Sequence, residues 1–124
     1  VKTFSPVVLV DKICSDETLR QAKECLRAVV ETKGGTAHKE LFDSTYEISG
    51  KTGTAVSAQN NEGYRKNSKV YQSSFMGFFP SNQPKYTIAV VVQNTRESKL
   101  VYGAQVAGTV FKKVSDNLGP SYKP

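Results

Sequence analysis

The hydrophobic residues of this chain change their period partway along, and that change limits the fold more than any other feature. Leu19, Ala22, Leu26, Val29 and Val30 recur at steps of three and four, so they share one face of a helix. Ser15 ahead of them can accept a bond from an orphan N–H, and Asp16 and Glu17 suit the positive end of the dipole. Lys33-Gly34-Gly35 stops the pattern, which predicts a helix over 16–33. Residues 34–43 read as a loop. From Ser44 the period becomes two: Tyr46 and Ile48 alternate with Glu47 and Ser49.

Three strands follow from that switch. The first runs over 44–56 and carries small residues in its second half. The second covers 69–79 (VYQSSFMGFF after Lys69), and Pro80 to Pro84 end it. The third covers 85–93; its β-branched core, YTIAVVVQ, reads as buried on both faces or nearly so. Residues 57–67 hold turn formers, Asn60-Asn61 and Gly63. A last helix spans 102–118, with Val106, Ala107, Val110, Phe111, Val114 and Leu118 on its apolar face and Gly119-Pro120 after it. The connections between strands are short enough for hairpins. The chain therefore reads as α+β, a three-stranded antiparallel sheet with both helices on it. Residues 6–10 (PVVLV) form a short apolar, extended lead-in.

Composition excludes several classes. The 124 residues are 38% hydrophobic and 23% charged, unlike a disordered tail, a collagen or a disulfide miniprotein. The longest apolar run, Ile88 to Val92, is far short of a membrane span, and no charged-then-apolar leader is visible at the N-terminus. The net charge of +6 comes from scattered lysines and arginines. The densest cluster is Arg65, Lys66 and Lys69, in a polar stretch that reads as a solvated loop tip. No basic stripe with interleaved aromatics is present, so nucleic acid is not an expected partner.

Cys25 lies inside the helical pattern and Cys14 just before it, so the helical rise between them is too long for a bridge, and both are expected as free, buried thiols. Two cysteines and His38 do not complete a tetrahedral metal site, so neither a metal nor a cofactor is expected. His38 itself reads as a solvated loop residue.

The string that carries chemistry is Lys51-Thr52-Gly53, followed by Thr54. Lys51 brings a cation that attracts a carboxylate. Thr52 and Thr54 are two apart on a strand, so their hydroxyls share a face. Gly53 has no Cβ where another backbone must come close. The backbone N–H of Thr54 can serve as an oxyanion donor. The plain alternative is an exposed strand with a glycine bulge. A phosphate-binding loop is excluded, because position 45 is Thr where that motif needs Gly, and a strand rather than a helix follows Lys51.

These residues lie in a longer pattern. GKTGTA at 50–55, SSFMGFFPSNQPKYTIAVVVQ at 73–93, YGAQVAGTVFKKV at 102–114 and GGTA at 34–37 stand in order and at fitting spacing. In them the chain resembles the transpeptidase domain of class B penicillin-binding proteins, above all the division-type enzymes that cross-link peptidoglycan. The resemblance implies a partial penicillin-binding (β-lactamase-like) fold. It also implies three motifs: S-x-x-K with the nucleophile, S-x-N, and K-T-G. No serine here is followed three places on by Lys. Ser115-Asp116-Asn117 spells the second motif but follows K-T-G, whereas in the family it precedes it. Only the third is present.

By this resemblance, Lys51, Thr52, Gly53 and Thr54 form the substrate strand. The two hydroxyls would take the carboxylate of a stem-peptide D-alanine or of a β-lactam. Residues 1–124 would be the C-terminal part of a transpeptidase domain, inert alone, whose parent is membrane-anchored and works outside the cytoplasm. The start at Val1 in mid-pattern fits that expectation. A strand from the absent part would pair with residues 86–93, so this edge is expected to self-associate. The alternatives are a standalone module that binds peptide or peptidoglycan without catalysis, and an unrelated α+β interaction domain, for which the long match would be an accident.

Overall fold

The computed structural model describes residue 3 and residues 5–58, 69–95 and 97–118. Helix α1 (Asp16–Glu31) starts where Ser15 accepts the Thr18 N–H on its side chain. A one-turn helix α2 (His38–Leu41) follows, then strands β1 (Ser49–Ala58), β2 (Lys69–Phe79) and β3 (Tyr86–Gln93). After β3 comes a π-helical stretch, Ala104–Gly108, that continues into α3 (Thr109–Leu118). The three strands form one antiparallel sheet in the order β1-β2-β3.

Register explains the core. Thr52 opposes Phe75, which opposes Val90. With alternation along each strand, Ile48, Phe75, Phe79, Tyr86, Ile88, Val90 and Val92 share the face that meets the C-terminal helix. Phe111 stands edge-on to Phe75, ring centroids 4.9 Å apart, and to Phe79 at 5.9 Å. These offset aromatic contacts, with Val30, Leu41, Ala104 and Ala107, make the buried centre. Helix α1 packs on β1 and α2, and the C-terminal helix packs on β2 and β3.

The α+β architecture stands as expected, with local corrections. The first strand begins at Ser49, five residues later than the period-two pattern placed it, because Tyr46 and Ile48 serve the core from an irregular segment. Residues 34–43 are not all loop, since α2 folds inside them. His38 is part-buried there; its Nδ1 lies 2.7 Å from the Val30 carbonyl and its ring stacks on Phe42. The third strand is not buried on both faces. Tyr86, Ile88, Val90 and Val92 are half-buried while Thr87, Ala89, Val91 and Gln93 are exposed, so only one face is covered. The cysteines are free, but neither is buried: Cys25 is exposed, on a helix that buries only Val30, and Cys14, ahead of that helix, is half-buried. Val7 to Val10 lie exposed without strand structure. Arg65 and Lys66 of the basic cluster lie outside the described residues, as does most of the 57–67 turn.

Candidate functional site

Thr52 and Thr54 sit on the helix-facing side of β1, where alternation puts them beside Gly50 and Ile48. Here the strand meets the start of the C-terminal helix. Together they line a cavity of about 300 Å³ with Thr36, Glu40, Tyr102, Gly103, Ala104 and Gln105. Each threonine hydroxyl has a partner. Thr36 and Thr52 hydroxyls lie 3.2 Å apart. The Gly103 N–H donates to Thr54 Oγ1 at 3.1 Å. A hydroxyl that accepts this bond keeps its own hydrogen to donate elsewhere.

The other two residues of the string face differently. Gly53 is on the opposite side of β1, across from Ser74, and a Cβ there would run into the Ser74 hydroxyl. Lys51 is exposed and donates from Nζ to the Thr52 carbonyl at 3.0 Å. It lines a second hollow with Cys25, Val29, Gly35 and Thr36, at the end of α1. The structure thus brings Thr52 and Thr54 to one cavity and leaves Lys51 at its neighbour, with Thr36 bordering both. Among the residues lining the first cavity the only charge is that of Glu40.

Sequence reasoning missed Thr36, Glu40 and the 102–105 segment as cavity walls. Thr36 and Tyr102-Gly103 stood inside the GGTA and YGAQ strings, but nothing local showed that they would meet the K-T-G strand. Ser73 and Asn94 were missed as well. Both are buried, and the Asn94 side-chain amide donates to Ser73 Oγ at 2.9 Å. Ser73 in turn donates to the Val101 carbonyl at 2.6 Å. A buried polar pair of this kind must be satisfied, and the loop into the C-terminal helix satisfies it.

The site thus lies where the edge strand β1, with Thr52 and Thr54 on its helix-facing side, meets the start of the C-terminal helix. The sequence profile of the Penicillin binding protein transpeptidase domain matches residues 1–116, and the chain belongs to that family. It is 31% identical over 118 residues to stage V sporulation protein D of Bacillus subtilis, covering 95% of this chain and 16% of that protein. It is 32% identical over 103 residues to the probable peptidoglycan D,D-transpeptidase PenA of Neisseria flavescens, covering 83% of this chain and 24% of the relative. Among solved structures, penicillin-binding protein 2 of Pseudomonas aeruginosa superposes with a TM-score of 0.69 at 29% identity, over 94% of this chain and 23% of that one. The transpeptidase domain of Burkholderia pseudomallei penicillin-binding protein 3 gives a TM-score of 0.64 at 30% identity, over 87% and 31%. The chain therefore spans a quarter or less of these two curated relatives.

Proposed function

We propose that residues 1–124 are the C-terminal part of a class B transpeptidase domain and supply the substrate-binding wall of an enzyme that cross-links peptidoglycan. Thr52 and Thr54 take the terminal carboxylate of a stem-peptide D-alanine, or of a β-lactam that mimics it. Lys51, at the neighbouring hollow, adds positive potential to the approach. The Thr54 backbone N–H is one oxyanion donor, and the second comes with the nucleophile. The observation that carries this reading is the pair of threonine hydroxyls on one cavity, with Thr54 already accepting the Gly103 N–H and so left with a hydrogen to give a carboxylate.

Acyl transfer also needs a nucleophile and its base. No S-x-x-K is present in this sequence, so the chain alone is inert toward penicillin. In the parent, the upstream part of the domain brings both, from a membrane-anchored protein working on the extracytoplasmic side. Among the described residues no helix is long and apolar enough to cross a membrane. The isolated chain self-associates through strand β3.

The test is labelling by a fluorescent penicillin. The isolated chain should stay unlabelled and the complete protein should label on one serine, upstream of these residues. Stoichiometric labelling of Ser49, Ser73 or any other serine in the isolated chain would sink the proposal. Saturable stem-peptide binding by the isolated chain, with no labelling of the complete protein, would favour a non-catalytic module.

A further inference from the structure

We propose that Ser73 and Asn94 are positioning residues, which set the direction of the Thr54 hydroxyl through the segment 101–103. The proposal rests on Thr54 receiving a carboxylate as described above. Ser73 opposes Thr54 across the β1–β2 ladder, so the two hydroxyls stand side by side on the helix-facing surface. Both hold the same short piece of chain, Ser73 the carbonyl of Val101 and Thr54 the N–H of Gly103.

Hydrogen-bond chemistry gives this arrangement a direction. The Asn94 side-chain nitrogen only donates, so the oxygen of Ser73 accepts from it and the Ser73 hydrogen must go to Val101. Asn94 donates a weaker bond to the Leu100 carbonyl at 3.3 Å, and its backbone N–H bonds the Tyr71 carbonyl at 2.9 Å, which ties it to β2. Two residues past Val101, the Gly103 N–H reaches Thr54 Oγ1. Its donation occupies a lone pair and leaves the Thr54 hydrogen to the cavity. Ser73 is fully buried and Asn94 is 6% exposed, so bulk water cannot replace these bonds cheaply. Neither side chain lines the cavity; they act on substrate only through the 101–103 segment.

The test uses the complete enzyme carrying Asn94→Asp, Ser73→Ala or Thr54→Val. Acylation rate constants are measured for a penicillin and for its methyl ester. The ratio of the two reports how well the site reads a carboxylate. Asn94→Asp keeps the shape of the side chain but replaces the donor by an acceptor, which turns the Ser73 hydrogen away from Val101. Each of the three substitutions is expected to lower the ratio about tenfold, the scale of one hydrogen bond to a charged group. The Asn94→Asp, Thr54→Val double variant is expected to lose no more than Thr54→Val alone. Should Ser73→Ala fail to fold, Asn94→Asp carries the test. Loss of the ratio in Thr54→Val with full retention in a folded Asn94→Asp would overturn the positioning role and leave the carboxylate reading intact. Retention in Thr54→Val would overturn the carboxylate reading and, with it, this inference. A uniform slowing of both substrates would mark a merely structural role and also overturn it.

Discussion

Gly103 lies against the backbone of Gly53 with no room for a methyl group: a Cβ on Gly103 would come within 2.5 Å of the Gly53 carbonyl oxygen and of the Ser74 carbonyl oxygen. The start of the C-terminal helix is thereby laid flat on β1 and β2, which is what lets its N–H reach Thr54. The backbone at Gly103 is ordinary helical, φ −54°, so contact distance rather than torsion demands glycine here.

Gly103→Ala should therefore cost stability by overpacking, about 1–3 kcal/mol. The clash is with main-chain atoms of two strands, which cannot rotate away. Urea unfolding of the variant should show a lowered midpoint. The amide of residue 103 should also lose its protection from hydrogen exchange, because the helix start lifts off Thr54. An unchanged midpoint with full protection would mean that the helix start does not rest on the sheet as described.

A second expectation concerns pH. Lys112 on α3 reaches Asp43 at 3.1 Å, and Asp116 at 3.5 Å. The hydrogen bond and the charge of Lys112 hold the Asp43 carboxyl below its ordinary value of 3.8. A carboxyl lowered in the folded state stabilises fully above its unfolded value and loses that contribution as pH falls through the folded one. Asp43 is well exposed, so the effect is small and screened by salt. The stability gap between the unsubstituted chain and its Lys112→Met variant should be larger at pH 6 than at pH 2.5, at low salt. Equal gaps at the two pH values would show that the pair contributes nothing. Glu17, lowered chiefly by its bond to Arg20 and further by Gln21, is common to both proteins and cancels.

Helix α1 offers a third. Its N-cap rests on Ser15, whose side chain accepts the Thr18 N–H at 3.1 Å and lies 2.8 Å from the Thr18 hydroxyl. Ser15→Ala should cost about 1 kcal/mol, and Ser15→Asp should restore most of it, since a carboxylate also caps and suits the dipole. Circular dichroism during urea unfolding checks both. Equal stability of all three would show that the first turn is already frayed.

These cases show which parts of the molecule were legible before folding. The Ser15 cap and the apolar steps of α1 are local signals, and α1 starts where they put it. The strands of β2 and β3 were read from β-branched and aromatic residues at nearly their observed limits. What failed was long-range. Val90 and Val91 look alike in the sequence, yet only Val90 meets the core; which face is covered depends on helices far along the chain. His38 looked solvated because its partners, the Val30 carbonyl and the Phe42 ring, are supplied only when α2 forms. Thr52 and Thr54 could be paired by strand alternation alone. Their link to Gly103, and that of Ser73 to Asn94, joins residues too distant for any spacing rule.

The last prediction concerns the outer strand. Among the described residues β3 has a single strand neighbour, β2, and its uncovered face carries Thr87, Ala89, Val91 and Gln93, with Val91 59% exposed. Met76 of β2, paired with Ala89, is equally exposed and extends that surface. Unpaired backbone groups beside an apolar surface invite pairing with another strand, and natural edges are often blunted with lysine. The isolated chain should therefore dimerise or aggregate as concentration rises, in light scattering or sedimentation. Ala89→Lys with Val91→Lys should shift it to monomer, because two like charges on each edge would meet their copies across an antiparallel joint. These exposed positions make no core contact, so stability should change by no more than about 0.5 kcal/mol. An unsubstituted isolated chain that stays monomeric at high concentration, or a double variant that associates as strongly as the unsubstituted chain, would show that β3 is not the joining edge.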